Sequence, residues 1–166
     1  DESLIVVEKP AGMLSVPGKV SATSLLEWLQ KRFGEVHSCH RLDMDTSGLM
    51  VFARSMAAKS CLEREFADHI VRKSYRARLS CPTMDTVRKR DLRKGAKGTV
   101  ALPLSLDYYD RPRQMVDYEH GKPAITEYEV LDVMPNGETE VRFTPLTGRT
   151  HQIRCQFSAR GLPLLG

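Results

Sequence analysis

Hydrophobic and polar positions change period several times along the chain, and each change marks an element. Leu4-Ile5-Val6-Val7-Glu8 reads as a β-strand, followed by a Pro/Gly-rich loop from Lys9 to Gly18. Ser24-Leu25-Leu26-Glu27 has the form of a capping box, in which the serine accepts from the third helical amide and the glutamate reaches back. Leu25, Leu26, Leu29 and Phe33 then recur at helical spacing, and Gly34 is a natural stop. Leu49-Met50-Val51-Phe52-Ala53 is short and wholly apolar, which predicts a central strand. A second helix is predicted over 55–66, with Ala58, Cys61, Leu62 and Phe66 on one side. Residues 73–79 alternate polar and apolar as a strand does, and 102–106 and 124–133 read as further strands. Pro135-Asn136-Gly137 is a tight-turn signal that joins the last of these to Glu138–Pro145 as a hairpin. Residues 150–160 return to helical spacing, with Ile153 and Phe157 four apart and Gly161 at the end. The whole predicts an α+β fold, a mixed, mostly antiparallel sheet with flanking helices, rather than regular βαβ alternation.

One stretch has no apolar period. Residues 88–97 carry six basic side chains against one acid, with glycine among them, and are expected to form a mobile loop. Such a run is either a solvated surface loop or an arm that contacts nucleic-acid phosphates.

Composition narrows the class without naming a function. The chain has 166 residues, enough for one domain and a sizeable core, with 41% hydrophobic and 28% charged residues, as expected of an ordinary globular protein. No apolar run approaches the roughly 20 residues that span a bilayer, so no membrane partner is expected. The net charge of +4 is too small to identify a partner by itself. Cys39, Cys61, Cys81 and Cys155 are widely spread and lack CxxC spacing, which points to a reducing compartment. Cytoplasm is the expectation, with an organelle as the alternative. The first residues enter a strand-like run without a starting Met and the chain stops abruptly at Leu164-Leu165-Gly166, so truncation at both ends is expected.

The chemistry concentrates in His40-Arg41-Leu42-Asp43-Met44-Asp45-Thr46-Ser47-Gly48-Leu49, where two aspartates stand two residues apart. A carboxylate pair could bind a hard divalent cation, but the further oxygen ligands such an ion needs cannot be picked out. Asp43-Met44-Asp45-Thr46-Ser47 also resembles the DxDx(T/V) loop of haloacid-dehalogenase-type phosphatases, in which the first aspartate attacks phosphorus. That loop follows a buried hydrophobic strand, whereas His37-Ser38-Cys39-His40-Arg41 precedes it here. His37, Cys39, His40, His151 and Cys155 are eligible zinc ligands, yet their spacings do not form the usual pairs. The remaining possibility is a lone nucleophile, Asp43, between an arginine and a tight Thr-Ser-Gly turn.

At this point the residues resemble a known family over nearly the whole chain. Ile5-Val6-Val7-Glu8-Lys9-Pro10-Ala11-Gly12 is similar to the opening signature of the RNA pseudouridine synthases. Residues 40–49 match their HRLDxxTSGL motif, and Lys73-Ser74-Tyr75 their K-x-Y strand. Arg111-Pro112-Arg113 with Gly121-Lys122-Pro123-Ala124-Ile125-Thr126-Glu127-Tyr128 matches a further stretch, and residues 146–154 match the TGRTHQIR block. Within the family, the Val16-Pro17-Gly18 and RPR…GKPA.TEY combination most resembles the branch that modifies 23S rRNA and a tRNA anticodon stem-loop.

The resemblance implies one catalytic domain over 1–166, with its last strands lacking, an RNA substrate, and no cofactor, metal or obligate protein partner. It assigns the essential carboxylate to Asp43, which either adds to the base or assists cleavage at the sugar and must be ionised in both cases. It assigns Arg154 to hold that carboxylate ionised by charge pairing, and Tyr75 to stack on the base, with removal of the carbon-5 proton as a candidate task. Ile153 floors the uracil pocket, an ordinary core role being compatible with that. Arg41 fills the space left when the target nucleotide flips out of its stack. His40 supports the loop or contacts RNA, and Arg149 and His151 join the substrate-binding set. Asp45 stands where a small residue is often found, and is read as exposed loop. The rival from another class is an RNA-binding protein whose catalysis has been lost; intact Asp43, Tyr75 and Arg154 argue against it.

Overall fold

A computed structural model describes residues 1–18, 23–81, 83–89 and 91–165, and their side chains apart from those of 88 and 89. The chain divides into two compact units, Asp1–Val71 and Arg72–Gly166.

In the first unit, β1 (Leu4–Lys9) pairs antiparallel with β3 (Gly48–Ala53), and the two-residue β2 (His37–Ser38) pairs with the far end of β3. The predicted central strand is therefore central, and Met50 and Phe52 on its inner face are buried. Leu49, by contrast, is 71% exposed, because it points to the face opposite Met50 and Phe52, the face on which Val6 is also exposed. Helix α1 (Leu25–Phe33) begins as expected: Ser24 accepts from the Glu27 amide, and the Glu27 carboxylate accepts from the Ser24 amide (2.8 Å). Gly34 ends it at φ 79°, a conformation open to glycine. Leu25 and Leu29 are buried, but Phe33 lies 42% exposed, since the last turn swings the predicted apolar face to the surface. Helix α2 (Met56–Ala67) buries Leu62 and exposes Cys61, so its inner stripe is narrower than the spacing suggested.

The second unit is built on a four-stranded antiparallel sheet ordered β4 (Tyr75–Leu79), β9 (Thr139–Pro145), β8 (Ile125–Val133), β5 (Lys97–Ala101). The β8–β9 hairpin closes through the Pro-Asn-Gly turn, with the Gly137 amide donating to Met134 O (2.9 Å). A side chain at Gly137, already at φ 89°, would put its Cβ 2.9 Å from Cys81 O. Helix α4 (Gln152–Ala159) lays Phe157 on the sheet against Phe143 (ring centroids 4.8 Å), in a core that includes Leu79, Val100, Val130 and Val141. A two-stranded ribbon, β6 (Leu104–Leu106) and β7 (Gln114–Val116), completes the unit. Every ladder between these named strands is antiparallel, and the helices flank the sheets, as the α+β pattern predicted.

Two expectations need correction. The strand predicted over 102–106 is only Leu104–Leu106, and Lys97–Ala101 forms a separate strand that the pattern missed. Nor are residues 88–97 a single mobile loop. They run from the end of α3 (Met84–Lys89) into β5, and Leu92 is fully buried in the core. The Gly95 amide donates to Val130 O and the Val130 amide to Ala96 O (both 2.8 Å), which ties the segment to the sheet. Arg90 lies outside the described residues. Arg93, Lys94 and Lys97 face Asp91, Asp132 and Glu129 at 3.2, 3.4 and 3.6 Å, so these three charges are matched locally.

Candidate active site

In the first unit, the HRLDMDTSGL segment runs without regular structure into β3, and its backbone is held by buried polar side chains. The Ser15 hydroxyl donates to Leu42 O (2.7 Å) and accepts from the Leu42 amide (3.0 Å). On the other side of Asp43, the Met44 carbonyl accepts from Lys9 Nζ (2.8 Å) and from the Gly12 amide (2.9 Å). The Thr46 amide donates to Asp43 O (3.1 Å), which makes the turn after the aspartate. Leu42 is buried, Asp43 half-buried, and Arg41 and Asp45 exposed. The alternation of burial from 41 to 43 is what a packed Leu42 imposes on its neighbours. His40 turns inward: its Nε2 accepts from the Val51 amide (3.0 Å) and its ring lies 4.7 Å from that of Phe66. These contacts tie the start of the motif to β3 and α2.

Lys9 and Ser15 were not among the residues picked from the sequence. The Lys9 side chain is completely buried, and its ammonium donates to the carbonyls of Pro10 (2.8 Å), Met13 (2.7 Å) and Met44. All three ammonium donors are used. Burial pushes its pKa below the usual lysine value, while the charges of Asp45 and Asp43 act in the opposite direction. A signal for it exists in the sequence: Ile5, Val7 and Lys9 fall on one face of a period-two strand, so Lys9 takes an inward position.

In the second unit, the TGRTHQIR block forms a turn and the start of α4. Gln152 anchors it. Its Oε1 accepts from the Thr147 hydroxyl (2.8 Å) and the Arg149 amide (3.0 Å), while its Nε2 donates to Ile125 O (3.0 Å) and Thr126 Oγ1 (2.9 Å). Thr126 donates on to Gln156 Oε1 (2.7 Å), whose Nε2 donates to Ala124 O (2.8 Å). Three buried polar side chains are thereby satisfied in a chain that fixes the helix start against β8, in line with the rule that buried polar groups are paired. His151, at the helix N-cap, sits at φ 50° with no side-chain capping bond, a left-handed conformation unusual for a residue with a Cβ. Arg149 is exposed and its Nε donates to Pro123 O (3.1 Å), while Ile153 and Arg154 are half-buried on the first turn of α4. Ile153 packs against the core, and so does Tyr75, the first residue of β4, which pairs with Phe143. Lys73 of the K-x-Y strand reaches Thr147 O (3.4 Å), and burial lowers its pKa.

The structure therefore brings His40, Arg41 and Asp43 together in one unit, and Tyr75, Arg149, His151, Ile153 and Arg154 together in the other. Asp43 and Arg154, which were expected to pair, lie in different units. Among the described residues no three His, Cys, Asp or Glu side chains converge, so the carboxylate-pair and zinc readings find no further ligand there. No helix of the described residues is long and apolar enough to cross a membrane.

Comparison with known proteins identifies the family. Residues 3–159 match the model of a family described as RNA pseudouridylate synthase. The dual-specificity RNA pseudouridine synthase RluA of Haemophilus ducreyi is 42% identical over 168 residues, and that of Escherichia coli K12 is 41% identical over 169. Each of these alignments takes in the whole chain and 72% of the relative. Among solved structures, human RNA pseudouridylate synthase domain containing 4 superposes with a TM-score of 0.73 at 26% identity, and domain containing 1 with 0.73 at 27%. This chain is covered to 100% and 99%, and spans 65% and 64% of those two. A family model that matches residues 3–159, and relatives above 40% identity along the full chain, lead to one conclusion: this chain belongs to the RNA pseudouridylate synthase family.

Proposed function

We propose that this chain isomerises selected uridines of structured RNA to pseudouridine, with Asp43 as its nucleophile. The observation that carries the reading is the setting of Asp43: a half-buried carboxylate on a backbone held at the residues before and after it, inside a motif shared with the family. The reaction breaks the bond between uracil N1 and the ribose, turns the base, and joins the ribose to carbon 5. Carbon 5 gives up a proton and N1 takes one, so the conversion balances without oxidant, reductant or cofactor.

In this reading Asp43 acts as the ionised carboxylate, at the base or at the sugar, since the protonated form is no nucleophile. Arg154 pairs with it and favours that charge. Tyr75 stacks on the uracil and takes the carbon-5 proton, with Ile153 flooring the pocket. Exposed Arg41 enters the stack vacated by the flipped nucleotide, because chemistry at a glycosidic bond cannot proceed inside a helix. Arg149 and His151 contact the RNA backbone; the left-handed His151 fits the tendency of strained residues to collect at functional sites. His40 acts by holding the loop. The substrate is a ribosomal or transfer RNA stem-loop, supported by the likeness to relatives named dual-specificity synthases.

The test incubates rRNA and tRNA transcripts with the protein in EDTA and maps pseudouridine by chemical adduct and primer extension. Discrete new stops with the wild type and none with Asp43→Asn support the proposal. RNA binding without any new stop returns the protein to the class of RNA-binding modules.

A further inference from the structure

We infer that the exposed face at the end of α1, formed by Trp28, Arg32 and Phe33, is a second RNA contact, one that stacks on unpaired bases outside the reaction site. The inference rests on the RNA substrate proposed above and goes beyond it, because none of the three residues takes part in that scheme. Trp28 and Arg32 stand four apart and share one face of the helix, and Phe33 follows in the last turn. Trp28 is 48% and Phe33 42% exposed, and the Arg32 guanidinium lies over both rings, 5.9 Å and 5.6 Å from their centroids. Both are cation–π distances. At the other end of α1, the amides of Leu25 and Leu26 donate to Leu14 O (2.8 Å) and Ser15 O (3.2 Å), in the loop that contacts Leu42. Arg32 lies about 10 Å further along the helix axis. A few stacked nucleotides cover that distance.

Helix energetics account for part of the arrangement. Basic residues in a last turn suit the helix dipole, which explains Lys31 and Arg32. It does not explain two large rings left half in water around one guanidinium. Nor does an acid hold Arg32: among the described residues it makes no ion pair. The acids nearest in sequence are engaged elsewhere, Glu27 with Ser24 and Glu35 with His37 (both 2.8 Å). The Arg32 donors are thereby left for a phosphate, whose geometry the guanidinium fork matches. Exposed rings accept bases of any identity, the arginine adds a cation–π contribution, and exposed Lys31 beside it carries a second positive charge. A protein partner fits less well. Leu25 and Leu29 face inward, and two half-exposed rings between Gln30 and Lys31 offer less than the roughly 800 Å² per partner of a stable protein interface.

Trp28 is the single tryptophan of the chain, so its fluorescence reports on this patch alone. The experiment titrates the protein with a short oligouridylate, with duplex RNA of the same length, and with inorganic polyphosphate and polyglutamate of matched charge. Anisotropy of labelled oligouridylate gives the affinity of the wild type, Trp28→Ala, Trp28→Phe, Arg32→Gln and Phe33→Ala, and circular dichroism records the folded fraction of each. We expect saturable quenching of Trp28 by the oligouridylate. Quenching should be slight with the duplex, whose bases are already stacked, and with the two polyanions, which have no bases. Trp28→Ala and Phe33→Ala should bind roughly tenfold more weakly while folded, as loss of one stacked base implies, and Trp28→Phe should stay near the wild type. Arg32→Gln should reduce the salt dependence by about one phosphate contact. Oligouridylate that does not bind, or binds without quenching, overturns the inference, as does wild-type affinity in folded Trp28→Ala. Equal quenching by polyphosphate or polyglutamate also overturns it, in favour of a general anion surface or an acidic protein partner. Pseudouridine mapping on transcripts separates the two readings. Pseudouridine formed without quenching leaves the reaction standing and removes the stacking contact; quenching without pseudouridine does the reverse.

Discussion

At the scale of single residues, environment sorts chemically identical groups into different roles. Lys9 and Lys73 are both partly or wholly desolvated and have lowered pKa values, whereas Lys94 and Lys97 lie on the surface opposite acids. The four cysteines divide in the same way. Cys61 is exposed, Cys81 is buried, and burial raises the pKa of Cys39 and Cys155, which reduces their thiolate fraction. Alkylation with iodoacetamide at neutral pH, followed by peptide mass spectrometry, should label Cys61 first and leave Cys81 unmodified in the folded protein. Labelling of Cys39 or Cys155 at the rate of Cys61 would contradict the burial described. Lys9 also shows why part of the site escaped the sequence. Composition treats lysine as a surface residue, and only its inward place on β1 hints otherwise.

Elements held by local chemistry were the most legible. Ser24 and Glu27 announce a helix because both halves of the capping box lie within four residues, and Pro135-Asn136-Gly137 announces a hairpin for the same reason. The backbone and hydroxyl hydrogen bonds from Ser24 lower the Glu27 pKa, so its contribution to stability is complete above the ordinary carboxylate value and is lost as pH falls through the lowered one. Glu27→Gln, which has no proton to gain, should show a shallower loss of stability than the wild type as pH falls below the ordinary carboxylate range. Equal slopes in acid titration followed by circular dichroism would refute this. Strand β5 was less legible, because Lys-Gly-Thr-Val-Ala offers Val100 as its one buried residue and takes its place from pairing with β8. Leu92, the one large apolar residue in a basic run, likewise finds its place through tertiary packing. The TGRTHQIR turn depends on Gln152, whose four partners span residues 125 to 149. Gln152→Leu should destabilise the second unit by about 2–3 kcal/mol, since buried groups lose their partners. An unchanged denaturation midpoint would show that the network is replaceable.

For the whole molecule, five ordered stretches were readable as a family, and the family model matching residues 3–159 agrees with them. The motifs place Asp43 in the first unit and Tyr75 and Arg154 in the second, residues that no local pattern connects. The reaction itself is the decisive observable. Forming pseudouridine must release the hydrogen on carbon 5, whatever the first step. The most direct measurement is tritium release from ribosomal and transfer RNA transcripts labelled at carbon 5 of uridine, in EDTA, by the wild type and by Asp43→Asn. The account predicts release by the wild type, equal to the pseudouridine formed, and none above background by the variant. Release by Asp43→Asn at the wild-type rate, or pseudouridine formation that requires added Mg²⁺, would contradict it.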